Sequence, residues 1–304
     1  GPSVDVPAGD IGVGAREIGY LYGQYRRIRA AYEPGVLTGK GLSYGGSEIR
    51  PEATGFGAVY YASEVLAHEK DTIVGKTFAL SGFGNVAWGA ARKIAELGGK
   101  VVTLSGPDGY IYDPEGVTTP EKIAYLVTMR ESGRDKVQDY ADQFGCAFYP
   151  GEKPWGVKAD IIMPSATQND VNLEQAKRIV ANGVKYYIEV ANMPTTNDAL
   201  AYLLSQPGMI IAPSKAVNAG GVATSALEMS QNAIRYSWTA DEVDAKLKQI
   251  MKNIHDNSAK AAEANGLGYN LVAGANIVGF QKVADAMIAQ GMIYIAQPPL
   301  FRVF

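Results

Sequence analysis

The chain has 304 residues, of which 47% are hydrophobic, so it carries enough apolar material for one large domain or two ordinary ones. This composition excludes a disordered tail protein. Lys and Arg number 28 against 31 Asp and Glu, which gives a formal net charge of −3 without a long run of like charge, and we therefore expect no nucleic acid partner. The single cysteine, Cys146, excludes an internal disulfide, and no Cys/His cluster has zinc spacing, so we expect no metal site.

The N-terminus and the hydropathy of the chain bear on its location. The chain begins with Gly1 rather than Met, which indicates a processed product or a fragment. No signal-peptide pattern is visible, and no apolar run reaches the roughly 18 to 20 residues that a bilayer span requires. We expect a cytoplasmic protein without a membrane partner.

Short apolar segments alternate with segments of helical periodicity, which is typical of an α/β fold. The run KTFALS from Lys76 predicts a strand, residues Asn85–Leu97 a helix that ends at Gly98 and Gly99, and Lys100–Ser105 a second strand parallel to the first. Later strands are predicted at ADIIMP from Ala159, KYYIEV from Lys185 and MIIAP from Met209, with helices over Leu173–Asn182 and Thr196–Leu204. The expected architecture is a doubly wound parallel sheet.

Outside this alternating block the sequence predicts five further helices. They cover Gly14–Tyr32, Pro51–His68, Val222–Tyr236, Ala240–Ala264 and Leu271–Gln290. Thr239 and Glu242 form a capping-box pattern for the fourth of them.

A glycine-rich loop joins the first predicted strand to its helix. It reads GFGNVA over residues 82–87, a G-x-G-x-x-A version of the dinucleotide fingerprint. Gly82 permits the tight turn, Gly84 lets a pyrophosphate approach the backbone, and the small Ala87 allows the helix to pack closely on the strand. The strand before it and the helix after it favour nucleotide binding over a glycine turn that binds nothing.

The end of the second predicted strand bears on the choice of dinucleotide. A carboxylate here binds a ribose hydroxyl, whereas an arginine accommodates a 2′-phosphate. The sequence offers Ser105-Gly106-Pro107-Asp108 with no Lys or Arg, and Asp108 would repel a phosphate, so NAD is favoured over NADP. The alternative is that Asp108 only forms a turn with Pro107 and Gly109.

Two kinds of residue are candidates for handling the proton that accompanies hydride transfer. Only two histidines exist, His68 and His255, and both are predicted to be solvated surface residues, which argues against a 2-hydroxy acid dehydrogenase. Asp10, set among Pro, Gly and aliphatic residues in VPAGDIGVG, would sit against the backbone with little competing solvent, where the pKa of its carboxyl group can rise. The alternative for Asp10 is an N-cap of the helix that begins near Gly14.

Eight segments together resemble a known enzyme family over residues Pro2 to about Gly291. In chain order they are PAGDIGVGAREIGY, LTGK, GGSEIRPEATGFG, GFGNVAWGAA, LSGPDGYIYDPEG, MPSATQND, EVANMPTT and PSKAVNAGGVATSALEMSQN. This series is similar to the later two thirds of the clostridial-type hexameric glutamate dehydrogenases, which belong with the leucine, phenylalanine and valine dehydrogenases.

The resemblance implies a role for individual residues. It places proton transfer at the substrate amine on Asp10, and substrate contacts on Gly9, Asn218, Val222 and Ser225. It implies that the residues contacting the dinucleotide are Thr54, Gly82, Phe83, Gly84, Asn85, Val86, Pro107, Asp108, Ala166, Thr167, Asn192 and Asn218.

The resemblance also implies an activity and a domain organisation. The activity is oxidative deamination of L-glutamate to 2-oxoglutarate and ammonium with hydride transfer to NAD, in a homo-oligomer that is a hexamer in the full-length family. Residues 1–44 and 269–304 would be helical remnants of the substrate domain, and residues 45–268 a Rossmann-like NAD-binding domain.

Part of the family pattern has no counterpart in these 304 residues. Family members carry a further N-terminal region with a GGGKGG-like segment and lysines, one of them catalytic. We therefore expect this chain alone to bind NAD and to turn over glutamate negligibly. The alternatives are an NAD-binding module without a catalytic role and a dehydrogenase acting on Leu, Phe or Val.

The last residues, 294–304, depart from the family. Their sequence, YIAQPPLFRVF, resembles a segment of the B subunit of bacterial DNA gyrase. About ten residues cannot carry the activity of that protein, so no nucleic acid role follows.

Overall fold

The computed structural model describes residues 1–10 and 12–292, and the atypical tail at 294–304 lies outside this part of the chain. Within it the helices are α1 (Ala15–Arg29), α2 (Ala53–His68), α3 (Asn85–Glu96), α4 (Pro120–Glu131), α5 (Gln138–Phe144), α6 (Leu173–Ala181), α7 (Asn197–Leu204), α8 (Ser214–Val217), α9 (Gly220–Ile234), α10 (Ala240–Ala264) and α11 (Leu271–Ala289). The strands are β1 (Thr77–Leu80), β2 (Lys100–Gly106), β3 (Gly109–Tyr112), β4 (Ala147–Pro150), β5 (Ile161–Met163), β6 (Tyr186–Ile188) and β7 (Ile210–Ala212).

The strands form one seven-stranded sheet in the order β4-β3-β2-β1-β5-β6-β7. Five neighbouring strands pair in parallel, in the sheet order β2-β1-β5-β6-β7. The strands β3 and β4 are added at one edge and pair antiparallel. The predicted α/β doubly wound architecture is therefore confirmed. The strands β3 and β4 and the helices α4, α5 and α8 were not predicted from the sequence.

Alternate residues of the central strands face two separate hydrophobic clusters. Phe78 and Leu80 of β1 belong to a cluster with α2 and α3, whereas Ala79 belongs to a cluster with α6 and α7. This alternation follows from the period of two in a strand, and it shows that helices cover both faces of the sheet. A third, small cluster contains Tyr22, Val36 and Leu37 near the N-terminus.

The helix α11 differs from the expectation that no apolar run is long enough to span a bilayer. Its 19 residues have a mean hydropathy of 1.2, which by length and composition alone would suffice to cross a membrane. Helices inside the cores of soluble proteins have the same properties. Much of its apolar surface is exposed, including Phe280 at 75% and Val283 at 59%.

Glycines bring α2 into backbone contact with two neighbouring helices. A Cβ atom on Gly55 would lie 2.3 Å from the backbone nitrogen of Ala90 in α3. A Cβ atom on Gly220, at the start of α9, would lie 2.2 Å from the carbonyl oxygen of Ala53. Real Cβ atoms do not approach this closely, so only glycine allows the first turn of α2 to sit between α3 and α9.

We predict that Gly220→Ala lowers the free energy of unfolding by about 1–3 kcal/mol, because the added methyl group must push α9 away from Ala53. Denaturant unfolding followed by circular dichroism measures this change. Gly279→Ala in α11 is the matched control, since no atom lies within 4 Å of its added Cβ. The control should be neutral or stabilising by up to about 1 kcal/mol. Equal destabilisation by both substitutions would contradict the packing argument.

Candidate active site

The strand order reverses direction between β1 and β5. From β1 the chain first adds β2 on one side and later returns to add β5 on the other side. In doubly wound sheets the crevice at the carboxyl ends of two such strands is the usual ligand site. The loops that follow β1 and β5 carry Gly82–Asn85 and Ala166–Thr167, so the structure brings these sequence-predicted residues to one crevice.

Serine hydroxyls connect the strand ends around this crevice. The backbone N–H groups of Ser165 and Ala166 donate to the Ser81 hydroxyl at 3.0 and 3.2 Å. The N–H of Gly82 donates to the Ser105 hydroxyl at 2.9 Å. Ser81 and Ser105 are both buried, so these bonds fix the relative positions of the ends of β1, β2 and β5.

The glycine-rich loop has the conformation that the sequence predicted. Gly82 has a φ of +80°, and a Cβ on it would approach the Cα of Ala166 to 3.2 Å, so the tight turn requires glycine. Gly84 is the N-cap of α3, and a Cβ there would meet nothing within 4 Å. Ala87 is fully buried in the core beside β1. The space beside Gly84 is open and no side chain caps the start of α3, an arrangement that suits an anion site.

Thr54 lies where three helices meet. It belongs to the first turn of α2, which is held against α3 by Gly55 and against α9 by Gly220. A Cβ on Gly221 would lie 2.6 Å from the Thr54 hydroxyl. The turn that carries Thr54 thus lies between α3, which follows the glycine-rich loop, and the N-terminal half of α9, which carries Val222 and Ser225.

Two predicted asparagines meet beyond the ends of β6 and β7. The amide of Asn218 donates to the side-chain oxygen of Asn192 at 2.7 Å. Nearby, the buried Glu189 accepts a bond from the N–H of Ser214 at 3.1 Å. Burial raises the pKa of the Glu189 carboxyl group, against the hydrogen bonds that favour its charged form. Asn192 and Asn218 therefore extend the same edge of the sheet as the loops after β1 and β5.

Asp108 has a structural function that the sequence analysis raised as its alternative. It lies in the turn between β2 and β3, and its carboxylate accepts bonds from the N–H groups of Val137 and Gln138 at 3.0 and 3.1 Å. Pro107 beside it is exposed, and Phe83 is 6% exposed. A carboxylate has further acceptor sites, so these two bonds fix the position of its charge without using all of them.

The segment around Asp10 differs from the expectation in two respects. Asp10 is exposed rather than enclosed by its neighbours. It is not the N-cap of α1, since Gly14 has this position and its N–H donates to Glu17 at 2.9 Å. A Cβ atom on Gly9 would lie 2.8 Å from the carbonyl oxygen of Val13, which accounts for the glycine before Asp10.

Two residues that the resemblance assigns to substrate contacts lie on α9, beside a residue that sequence reasoning missed. Val222 is 70% exposed on α9 and Ser225 is 7% exposed one turn later. Beside them Arg50 is half-buried, and its Nε has no hydrogen-bond partner among the described residues. Burial lowers the pKa of the Arg50 guanidinium, and the Glu228 carboxylate opposes this. Arg50 lies in the GGSEIRPEATGFG segment, so its place before Thr54 was the available signal.

Comparisons with known proteins agree with this geometry. The family model for glutamate/leucine/phenylalanine/valine dehydrogenases matches residues 45–291. The chain belongs to this dehydrogenase family. A relative named NAD-specific glutamate dehydrogenase, from Clostridium symbiosum, is 73% identical over 97% of this chain and 65% of its own length. A solved structure named glutamate dehydrogenase has a TM-score of 0.95 at 73% identity, covering 97% of this chain and 66% of that one.

The relatives differ in the cofactor that their names state. A relative from Haemophilus influenzae, 52% identical over 96% of this chain and 65% of its own length, is named NADP-specific. The chain spans about 65% of the length of the curated relatives it matches. The match of the family model and the identity to these relatives confirm the resemblance to the dehydrogenase family.

The two histidines of this family member lie next to one aromatic residue. His68 stacks on Tyr269 with 3.6 Å between ring centroids, and Nε2 of His255 lies 2.6 Å from the Tyr269 hydroxyl. His255 is 5% exposed, so the prediction of a solvated surface residue was wrong for it. The reason is that α10 packs on both α2 and α11 along the side that carries His255. Neither histidine lies in the loops that form the crevice.

Burial lowers the pKa of His255 below its ordinary value of about 6.5, although the carboxylates of Asp256 and Glu64 favour its charged form. Below that pH the unfolded chain takes up a proton more readily than the folded chain does. We therefore predict that the unfolding free energy of the wild type falls more between pH 7 and pH 5 than that of His255→Gln. Urea unfolding at several pH values measures this, and parallel pH curves for the two proteins would contradict it.

Proposed function

We propose that this chain is the nucleotide-binding and proton-transferring part of an NAD-dependent glutamate dehydrogenase. The reaction converts L-glutamate, NAD and water to 2-oxoglutarate, ammonium, NADH and a proton. The observation that carries the proposal is the junction at Thr54, where α2 packs between α3, which follows the dinucleotide-type loop, and α9, which carries Val222 and Ser225. The name of the 73% identical relative supports the choice of substrate and cofactor.

The crevice fits a dinucleotide. Gly84 leaves open space at the N-terminus of α3, whose N–H groups have no capping side chain and suit a diphosphate. Thr54, Asn192 and Asn218 supply hydroxyl and amide donors along the same edge of the sheet. When bound, NAD supplies the hydride acceptor.

The residues of this chain would then hold the substrate and move its protons. The Ser225 hydroxyl and the unpartnered Nε of Arg50 are donors for a substrate carboxylate. The Asp10 carboxylate takes a proton from the substrate amine and returns it to the leaving nitrogen after water has added. In this assignment Ser225 of α9 binds the substrate, and the exposed Asp10 carries the proton.

We further propose that residues 45–268 are the nucleotide domain and that residues 1–44 and 269–292 belong to a substrate domain. Apolar side chains are exposed on both flanking segments, among them Tyr20, Leu21 and Ile28 on α1 and Phe280 on α11. Such surface favours association with further protein. A homo-oligomer in the cytoplasm is the assembly we expect.

We predict that this chain alone has less than about a hundredth of the NAD-linked glutamate deamination rate of a full-length relative, because the absence of one electrostatic catalyst lowers kcat by a factor of about 100 to 1,000. Addition of the separately produced N-terminal third of such a relative should restore measurable NADH formation.

The outcomes of this assay separate the alternatives. Full activity of the chain alone would contradict the first prediction. An NAD-binding module without a catalytic role would stay inactive in the complemented assay, and faster turnover of leucine than of glutamate would identify the wrong substrate class.

We predict by calorimetry that this chain binds NAD at least about tenfold more tightly than NADP, a difference of about 1.4 kcal/mol. The charge of Asp108 is fixed by two N–H groups at the end of β2, where a 2′-phosphate would lie. Tighter binding of NADP would overturn the assignment of Asp108.

Two serine variants test whether NAD binds at the crevice between the ends of β1 and β5. Ser81→Ala leaves two buried N–H groups without an acceptor and should weaken NAD binding about tenfold. Ser205→Ala, at the exposed end of α7, removes a hydroxyl that donates to the Tyr202 carbonyl and accepts from the Gln206 amide, and it should leave the affinity for NAD unchanged.

A further inference from the structure

The segment that joins the Asp10 region to α2 is fastened to the second half of α9. Asn232 donates to the carbonyl of Gly45 at 2.7 Å, and Gln231 donates to the Ser47 hydroxyl at 2.8 Å. The third contact is made by Glu228, which reaches residues 39 and 40. All three side chains come from two adjacent turns of one helix, so α9 holds residues 39–47 along its length.

Glu228 is the most demanding of these contacts. The side chains of Glu228 and Lys40 are both 0% exposed, and the Lys40 Nζ lies 2.7 Å from a Glu228 carboxylate oxygen. The backbone N–H groups of Gly39 and Lys40 donate to the same carboxylate at 2.8 and 3.3 Å. The Lys40 ammonium also donates to the carbonyl of Leu37. One carboxylate therefore receives three donors, which only an acceptor-only group can satisfy.

The loop held by Glu228 is connected directly to the Asp10 segment. The N–H of Thr38 donates to the carbonyl of Pro7 at 3.1 Å, and Ala8 forms a parallel β-bridge with Thr38. Asp10 follows two residues later. Glu228 is thus linked to the Asp10 segment in two steps. Its carboxylate binds the N–H of Gly39, and the preceding residue, Thr38, forms the bridge with Ala8.

The loop adopts a conformation that needs such support. Leu37 and Ile49, at its two ends, both have a φ of +62°. A bulky or β-branched residue rarely adopts this left-handed conformation, and it persists only where surrounding contacts determine it. The bonds to Glu228, Gln231 and Asn232 lie between these two positions.

We propose that Glu228 is a positioning residue that holds the Asp10 segment in register with the Ser225 face of α9. Ser225 lies one helical turn before Glu228, about 4.5 Å along the axis. The same helix therefore holds both the substrate-binding serine and the loop against which the segment of the proton-transferring aspartate is paired. The inference rests on the proposed function for the roles of Asp10 and Ser225, but the contact itself is tested without activity.

The test compares Glu228→Gln with Glu228→Asp by hydrogen–deuterium exchange. Gln keeps the volume but turns an N–H₂ group toward three donors, whereas Asp keeps the carboxylate and is one methylene shorter. We expect Gln to accelerate exchange in residues 5–10 and 37–46 by about tenfold or more and Asp to do so less. Exchange in β1 and α3 and the affinity for NAD should change by less than about twofold.

The reverse order, with Gln tolerated and Asp harmful, would show that Glu228 only fills space and would overturn the proposal. Faster exchange throughout the chain for both variants would overturn it too, since it indicates general destabilisation. Glu174→Gln is the matched control, because Glu174 pairs with Lys177 on the surface of α6 and should alter neither region.

A kinetic readout extends the test to the reaction. In the complemented assay we expect Glu228→Gln to lower kcat about tenfold while KM for NAD stays unchanged, and Glu228→Asp to recover part of the rate. A raised KM for NAD with unchanged kcat would contradict a positioning role. If complementation gives no turnover with the wild type, the proposed function fails, whereas the exchange result still decides the contact.

Discussion

Direct backbone contact between helices is the constraint on which the arrangement of the site depends. The first turn of α2 touches α3 through Gly55 and α9 through Gly220, with no side chain between the helices. Contacts of this kind fix distances more tightly than side-chain contacts do, because no rotamer can adjust to absorb a shift. The position of Thr54 between α3 and α9 is consequently set by the main chain.

Charge is distributed unevenly in the interior beside this junction. Lys40 and Glu228 neutralise each other, whereas the half-buried Arg50 keeps an unpartnered Nε among the described residues and is stabilised only by the field of the same carboxylate. Burying an excess cation is costly unless an anion compensates it. Glu228 supplies part of that compensation. Under the proposed function, a carboxylate of the bound substrate would be a further compensating anion for Arg50.

The central part of the fold could be predicted because its signals are local. The β1 strand, the glycine-rich loop and α3 follow from apolar runs and glycine positions within about 25 residues. The strands β3 and β4 were missed because one begins with Gly109 and the other ends with Pro150, residue types that are typical of turns. Asp10 was expected to be enclosed and is exposed, since the flanking glycines and proline do not form a pocket around it.

Long-range partners and buried polar residues explain the rest of the difference. Lys40 and Glu228 are 188 residues apart in sequence, and no periodicity relates them. His255 did carry a signal, because it continues the i, i+4 row of Val243, Leu247 and Met251, all of which are buried. A histidine at the next position of such a row is expected in the core, where it requires partners such as Tyr269 and Asp256.

The two halves of the proposed site are built in physically different ways. The nucleotide half consists of strand ends joined by the buried hydroxyls of Ser81 and Ser105, so it is formed by the sheet itself. The position of Asp10 instead depends on a loop with left-handed residues at both ends and on one carboxylate of α9. Local opening costs less free energy in a loop of this kind than in a sheet. Dinucleotide affinity should therefore be robust to changes in the loop, whereas proton transfer should be sensitive to them, and the two properties can vary separately among members of this family.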